Sequence, residues 1–243
     1  MDRAILRLST KATAAFALAA TALPGVAAAQ AYQCRMPGKL PAARMVSPDA
    51  PAQRPPVTGY TLAQSWSPEF CRGREHSPQD RLQCSGSAGR FGFVVHGLWP
   101  EGAGRSPQWC RSVPAPSPAV VRNQLCRTPV VQLLAHEWAK HGSCMARDAA
   151  GYFRVSNILS DSLRYPAMET LSRDPAMTAG KLREALAAAN PARAANSFGL
   201  LLNERGWLRE IRACLDRRFR STRCPAWQYG PRDAATLKIW RGL

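Results

Sequence analysis

His136-Glu137-Trp138-Ala139-Lys140-His141-Gly142-Ser143-Cys144 places two imidazoles, a carboxylate, an ammonium and a thiol within nine residues. Forty residues upstream of its first histidine runs Phe91-Gly92-Phe93-Val94-Val95-His96-Gly97-Leu98-Trp99-Pro100, so two aromatic-flanked segments hold three of the four histidines in the chain. Imidazole is the side chain whose unperturbed pKa lies near neutrality, and clustering it in this way serves acid–base chemistry.

Local signals place the first of these segments on a helix. Thr128 is an N-cap residue, Pro129 suits the first helical position and Gly142 a C-terminal stop, so a helix is expected from about 129 to 141. At roughly 100° per residue His136, Lys140, Glu137 and His141 fall within about 140° of one another, while Trp138 and Ala139 point away. Glu137 and His141 are i,i+4 neighbours, the spacing at which opposite charges interact on a helix. A carboxylate raises the pKa of a nearby imidazole, whereas Lys140 and the other histidines lower it.

Other uses of these residues fit less well. In the zinc-protease motif His-Glu-x-x-His the two ligands sit at i and i+4, about 40° apart. Here the second histidine comes one residue late, about 140° round the helix, and Lys140 would set a positive charge against the ion. The Gly-x-Ser-x-Gly elbow of serine hydrolases is absent. A purely structural role suits any one histidine but not the set, because a core does not usefully bury several imidazoles, a lysine and a glutamate on one helical face. His76, in a polar loop with arginine and proline, is expected at the surface.

Transesterification at phosphate uses such a set without a metal. A neutral imidazole takes the proton of the attacking hydroxyl, an imidazolium protonates the leaving oxygen, and a cation stabilises the charge between them. RNA carries its own nucleophile in the 2′-hydroxyl. The formal net charge of +17 favours a polyanionic partner.

The N-terminus reads as a leader. Arg3, Arg7 and Lys11 precede an Ala-rich apolar run from Ala12 to Leu23, and Ala27-Ala28-Ala29 supplies small residues for cleavage, so residues 1–29 are expected to be a signal peptide. That run is too short to span a bilayer core of roughly 30 Å, and no later stretch is long enough. The mature protein is therefore expected to be periplasmic or secreted, without a membrane anchor. All eight cysteines lie beyond the leader, and an even number in an exported chain points to four disulfides rather than to a metal site, for which no tight ligand spacing occurs. Their order leaves roughly a hundred pairings open.

Residues 30–59 are rich in proline and lack apolar periodicity, which implies an extended arm or long loop, and 60–243 are long enough for one domain. Strands are expected over Tyr60 to Trp66, over Gly92 to Leu98 as a run buried on both faces, and around Ile211, where Arg209, Ile211, Ala213 and Leu215 alternate with Glu210, Arg212 and Cys214. Further helices are expected over Gly151 to Tyr165 and Met177 to Asn190. The Pro-rich stretch from Ser112 to Pro118 reads as a surface loop. The fold class that follows is α+β: an antiparallel β-sheet core with several helices packed to one side, in a single disulfide-bonded domain.

His96-Gly97-Leu98-Trp99-Pro100 and His136-Glu137-Trp138-x-Lys140-His141-Gly142-Ser143-Cys144 resemble the two active-site segments of the ribonuclease T2 family, endoribonucleases that cut single-stranded RNA through 2′,3′-cyclic phosphates. Tyr60 to Cys71 resembles that family's first core strand and its Trp-x-Pro-x-x-Cys turn, and Ile211 to Cys224 its C-terminal cysteine hairpin. The resemblance implies that His96 is the general acid toward the 5′-oxygen and His141 the general base toward the 2′-hydroxyl. It implies that His136 binds the phosphate, and that Glu137 and Lys140 stabilise the pentacovalent transition state. Trp99 resembles the base-stacking residue. Glu101 stands where several relatives carry an aspartate that contacts the base, and Ser143 where threonine is frequent. The resemblance also implies a bridge from Cys144 to a cysteine after the first motif, for which Cys110 is chosen over Cys126; Cys71–Cys84 and Cys214–Cys224 are the other expected pairs, with Cys34–Cys126 remaining. No cofactor is implied, single-stranded RNA is the implied partner, and a monomer is expected. A non-catalytic RNA-binding protein on the same framework is the rival reading, but none of the presumed catalytic side chains is missing.

Overall fold

The computed structural model describes residues 31–242. Its centre is a four-stranded antiparallel sheet in the order β4-β2-β6-β5, from β2 (Val57–Trp66), β4 (Phe93–Gly102), β5 (Phe198–Leu202) and β6 (Leu208–Asp216). A second ribbon pairs β1 (Ala31–Cys34) with β3 (Gly89–Phe91). The helices are α1 (Ser67–Cys71), α2 (Arg81–Cys84), α3 (Pro118–Gln124), α4 (Val131–Lys140), α5 (Ala149–Asp161), α6 (Met168–Leu171), α7 (Ala179–Ala189) and α8 (Ala226–Tyr229).

Residues directly opposite in an antiparallel pair share a face. On one face of the sheet this brings together Leu62, Leu98, Ala213 and Phe198, and alongside them Ile211 and Leu200, all no more than 2% exposed. Helices α4, α5 and α7 pack on the sheet and complete this core. Burying one such Leu or Phe side chain contributes about 1.5–3 kcal/mol. Gln64, also on this face, escapes the cost of a buried amide by bonding Tyr165 and Ser160.

The opposite face carries several of the candidate site residues, and a bulge re-aims them. Ala63 pairs with Gly97 but Gln64 with Val95, so His96 is an extra residue on β4 with no partner on β2. Strict alternation would put Val95, Gly97 and Trp99 on one face. With the bulge, Val95 and Leu98 turn to the core while Gly97 and Trp99 turn the other way, and His96 is aimed across the sheet.

The helical expectations need shifting at their starts, and the helix expected to reach Tyr165 ends at Asp161. Thr128 does not cap α4: its hydroxyl donates to the carbonyl of Val95, tying the segment before the helix to the bulged strand, and the N-cap is Val130 with no side-chain bond. Pro129 therefore precedes the helix instead of opening it. Helix α5 begins earlier than the expected Gly151, behind an Asp148 cap, and α7 begins at Ala179 behind a Thr178 cap. Strand β5, the ribbon strands and the short helices were not expected. Strand β4 lies at an edge of the sheet, so its apolar run reflects the bulge and the helices behind it.

The structure joins Cys34 to Cys126, Cys71 to Cys84, Cys110 to Cys144 and Cys214 to Cys224, so Cys144 takes Cys110 and not Cys126, and Cys34–Cys126 is the remaining pair. The first ties the N-terminal arm to the body, and Gln53 and Gln108 bond reciprocally through their backbones. Among the described residues no helix is long and apolar enough to cross a membrane.

Candidate active site

Helix α4 and strand β4 meet over this second face of the sheet and bring His96, Trp99, His136, Glu137, Lys140 and His141 into one cluster. Trp138 and Ala139, expected to point away, are buried in the core at 3% and 8% exposure, which fixes the rotation of α4. Tyr152 of α5 anchors the other element: its hydroxyl bonds both the N–H and the carbonyl of Leu98. Gly142 lies where a Cβ would meet the rings of Trp138 and Tyr152. Close packing, not a left-handed turn, accounts for this glycine.

The indole of Trp99 lies between the two presumed acid–base groups. Its ring centroid is 5.1 Å from that of His96 and 5.6 Å from that of His141, and its N–H donates to Oε2 of Glu137 at 2.8 Å. Glu137 is 2% exposed, with Oε1 3.7 Å from Nε2 of His96. Burial pushes its carboxyl up to about 7, against the opposing pull of His96 and Trp99. The i,i+4 interaction expected between Glu137 and His141 is replaced by this cross-element contact; no hydrogen bond or ion pair joins their side chains.

The two presumed acid–base histidines are polarised in opposite directions. Burial lowers the pKa of His96, but a hydrogen bond to Glu210 and the charges of Glu137 and Glu210 outweigh it, and the net shift is upward. Burial also lowers that of His141, and there Lys140, His136 and His96 add to the effect, bringing it to about 3. Nδ1 of His141 is buried without a hydrogen-bond partner. Divergent pKa values in neighbouring groups separate an acid from a base. His136 is likewise lowered, by burial and then by Lys140, and its ring meets the edge of Trp109 at 5.5 Å.

Three side chains in this assembly escaped the sequence reading. Glu210 of β6 holds Nδ1 of His96 at 2.7 Å and accepts from Nε of Arg212 at 2.8 Å. Opposite Glu210 and Arg212 on β2 stand Ser65 and Ala63, small residues that leave room for the reach across the strand. A carboxylate sharing its strand face with Cys214, which a bridge must bury, was the available signal. Asp49, from the Pro-rich arm, accepts from Nζ of Lys140 at 3.0 and 3.2 Å and from the indole of Trp109 at 2.9 Å. Trp109 itself has φ 52°, a left-handed conformation uncommon outside glycine, held beside the Cys110–Cys144 bridge.

The two residues expected at the base have other partners. Glu101 accepts from Thr61, Ser106 and Gln228, so both its oxygens are engaged by the protein. Over the ring of Trp99 lies the Arg212 guanidinium at 5.4 Å. His76 is exposed, as expected. Among the described residues no set of three His, Cys, Asp or Glu side chains is grouped as a metal-binding set.

The family model described as the ribonuclease T2 family matches residues 58–224, which include every residue of this cluster except Asp49. The chain belongs to the ribonuclease T2 family. It is 39% identical over 131 residues to a probable ribonuclease of Haemophilus influenzae, covering 49% of this chain and 47% of that one. With a ribonuclease of Aeromonas hydrophila it shares 30% identity over 163 residues, 65% and 71% of the two chains. The chain thus spans about half the length of the first and about 71% of the second. Among solved structures, an RNase-related protein from Calystegia sepium superposes with a TM-score of 0.59 at 19% identity, covering 75% of this chain and 97% of that one. That likeness is one of fold. The arm that supplies Asp49 precedes the T2 match.

Proposed function

We propose that this T2-family protein is an endoribonuclease that cleaves single-stranded RNA by metal-independent transesterification. The observation that carries the reading is the opposite polarisation of His96 and His141 on either side of Trp99. A base must be free of its proton and an acid must keep one at the same pH, and these surroundings favour that pair of states.

Neutral His141 accepts the proton of the 2′-hydroxyl as its oxygen bonds to phosphorus. The bond from phosphorus to the 5′-oxygen breaks, and imidazolium His96 protonates that oxygen. The products are a 2′,3′-cyclic phosphate and a free 5′-hydroxyl; in hydrolysis of the cyclic ester the two roles reverse. Lys140 neutralises the phosphoryl oxygens and His136 binds them, and Glu137, whose carboxyl burial raises to about 7, completes the polar surface around them. An arriving phosphodiester counters the charges of Lys140 and His136 that depress His141, so substrate raises the basicity of the group that must act on it.

Glu210 is the positioning residue of the acid: it fixes the ring of His96 through Nδ1, leaving Nε2 for the substrate. The leader-like residues 1–29 and the four bridges support export to an oxidising compartment, periplasm or medium, with 30–59 as an arm and 60–243 as the ribonuclease domain.

The experiment is cleavage of an oligomer with a 2′-hydroxyl at one position, beside the same oligomer with 2′-deoxy or 2′-O-methyl there. Cleavage at the hydroxyl alone supports the reading. Equal cleavage of the 2′-O-methyl oligomer overturns it.

A further inference from the structure

The chain from Asp216 to Asp233 carries a patch that the catalytic cluster does not use. The sixteen residues between these two aspartates include five arginines and no carboxylate. Both flanking acids are engaged by the protein. Asp216 accepts the N–H groups of Arg218 and Arg220 and pairs with the Arg220 guanidinium, and Asp233 pairs with the buried Arg183 and accepts from the Tyr229 hydroxyl. Arg217, Arg218 and Arg223 are exposed and have no ion-pair partner among the described residues. Trp227 of α8 is 64% exposed and stacks on no other ring among them. It lies beyond the residues that the family model matches.

The patch is held in place and adjoins the site. Strand β6 ends at Asp216 and the chain turns back on itself: Leu215 bridges to Ser221, the N–H of Thr222 donates to the carbonyl of Cys214 at 3.0 Å, and the Cys214–Cys224 disulfide closes the turn. Phe219, at φ 60°, stacks on Tyr60 with ring centroids 4.4 Å apart, so the apolar member of the turn is held inward while its arginines stay in water. Arg223 stands close enough to Tyr229 of α8 for its charge to bear on that phenol. Gln228, next to Trp227, donates to Thr61 at 2.5 Å and to Glu101 at 2.6 Å. Glu101 is two residues along β4 from Trp99, about 7 Å at the rise of a strand.

We propose that this turn and Trp227 form a second RNA-binding surface, outside the catalytic cluster, that holds a long single strand while one of its bonds is cut. The surface adds a preference for long substrates to the ribonuclease reading, on which it rests. Guanidinium groups bind phosphate oxygens as a planar fork, and each phosphate neutralised releases counterions from the strand. A flat, exposed indole stacks on any base, which suits a strand of arbitrary sequence. A strand held there raises the effective concentration of its other nucleotides at His96 and His141. A dinucleotide cannot occupy both places and gains nothing. A membrane surface, another polyanion that an exported protein meets, is a poorer match. The apolar part of the patch is one indole on a four-residue helix, whereas interfacial docking uses the long apolar face of an amphipathic helix.

A ribodinucleotide and a long unstructured oligoribonucleotide are compared at low salt in the wild type, in Arg217→Ala/Arg218→Ala/Arg223→Ala and in Trp227→Ala. The triple variant is expected to lose about tenfold in kcat/KM on the oligomer, through KM, and its slope of log kcat/KM against log salt to shrink by about 0.7 for each phosphate no longer neutralised. Trp227→Ala is expected to lose about fivefold on the oligomer, the low end of what one stacked base contributes. Turnover of the dinucleotide stays at the wild-type value in both, which also reports that they fold. Binding of an uncleavable 2′-O-methyl oligomer is expected to weaken in parallel. Oligomer binding and kcat/KM unchanged in both variants overturn the proposal. An equal loss on the dinucleotide also overturns it, since the residues would then act on the catalytic cluster itself. Weaker binding of the variants to anionic phospholipid vesicles, with oligomer binding unchanged, overturns it in favour of a membrane surface. A wild type that cuts neither substrate rejects the ribonuclease reading, and binding of the 2′-O-methyl oligomer then decides the surface by itself.

Discussion

Nδ1 of His96 and Oε2 of Glu210, 114 residues apart in sequence, lie 2.7 Å apart across the small side chains of β2. Burial lowers the pKa of His96, and Glu210 is the group that does most to raise it. Glu210 is itself held ionised: burial raises it, but His96 and Arg212 outweigh burial and the net shift is downward.

Glu210→Gln is therefore expected to move the basic limb of the kcat/KM profile to lower pH. With its pKa reduced, His96 is deprotonated earlier as pH rises, so the loss is larger at pH 7 than at pH 5. At neutral pH about a hundredfold loss is expected, the lower end of what general acid catalysis contributes. NMR titration of the His96 ring gives a readout independent of turnover. An unchanged basic limb would show that Glu210 serves only the fold.

In the proposed mechanism the acidic limb belongs to His141. For the free enzyme kcat/KM is expected to rise through about pH 3, where burial, Lys140 and the other histidines set that group. The corresponding limb in kcat should lie higher, because bound phosphate offsets the neighbouring positive charge. With the raised His96 setting the basic side, the optimum is acidic. Full pH profiles of both parameters test this, and an optimum above neutrality would contradict it.

Asp49 holds the ammonium of Lys140, the group proposed to bind a phosphoryl oxygen, and its carboxylate is half exposed. Asp49→Asn is expected to lower KM for RNA at low salt by about twofold to fivefold, the range of an exposed ion pair, with little change in kcat. Steady-state kinetics at two salt concentrations decide it. A fall in kcat at constant KM would instead make Asp49 a group that positions Lys140.

Gly97 has no room for a side chain, since a Cβ there would overlap Oε2 of Glu137 and Nε1 of Trp99. Gly97→Ala should lose most activity by displacing this pair, and cost about 1–3 kcal/mol of stability as an overpacked site does. Denaturant unfolding beside the activity assay separates the two effects. Full activity in the variant would mean that the contact between Glu137 and Trp99 is dispensable.

The legible part of the site was the part that is local in sequence. His136, Glu137, Lys140 and His141 share one helix face because helical periodicity requires it, and His96 announced itself in an apolar, glycine-containing strand. The sheet strands around Leu62, Val95 and Ile211 showed the periodicities that burial imposes. Glu210 and Asp49 were hidden because each reaches the site through tertiary structure alone: the first by the register of β6 on β2, the second from an arm with no periodicity to read. Thr128 misled because a hydroxyl before a helix can bond a neighbouring strand as readily as cap the helix, and here it bonds the carbonyl of Val95, next to the bulge at His96.

The most direct test of the account is the identity of the first product. The oxidised protein in EDTA is given a ribodinucleotide, and products are followed by phosphorus NMR from the earliest turnover, beside the His141→Ala variant. The account predicts a 2′,3′-cyclic phosphate that accumulates before any monoester, and at least about a hundredfold slower formation in the variant, the scale of a general base. A linear monoester appearing first, or cleavage abolished by EDTA, would contradict it.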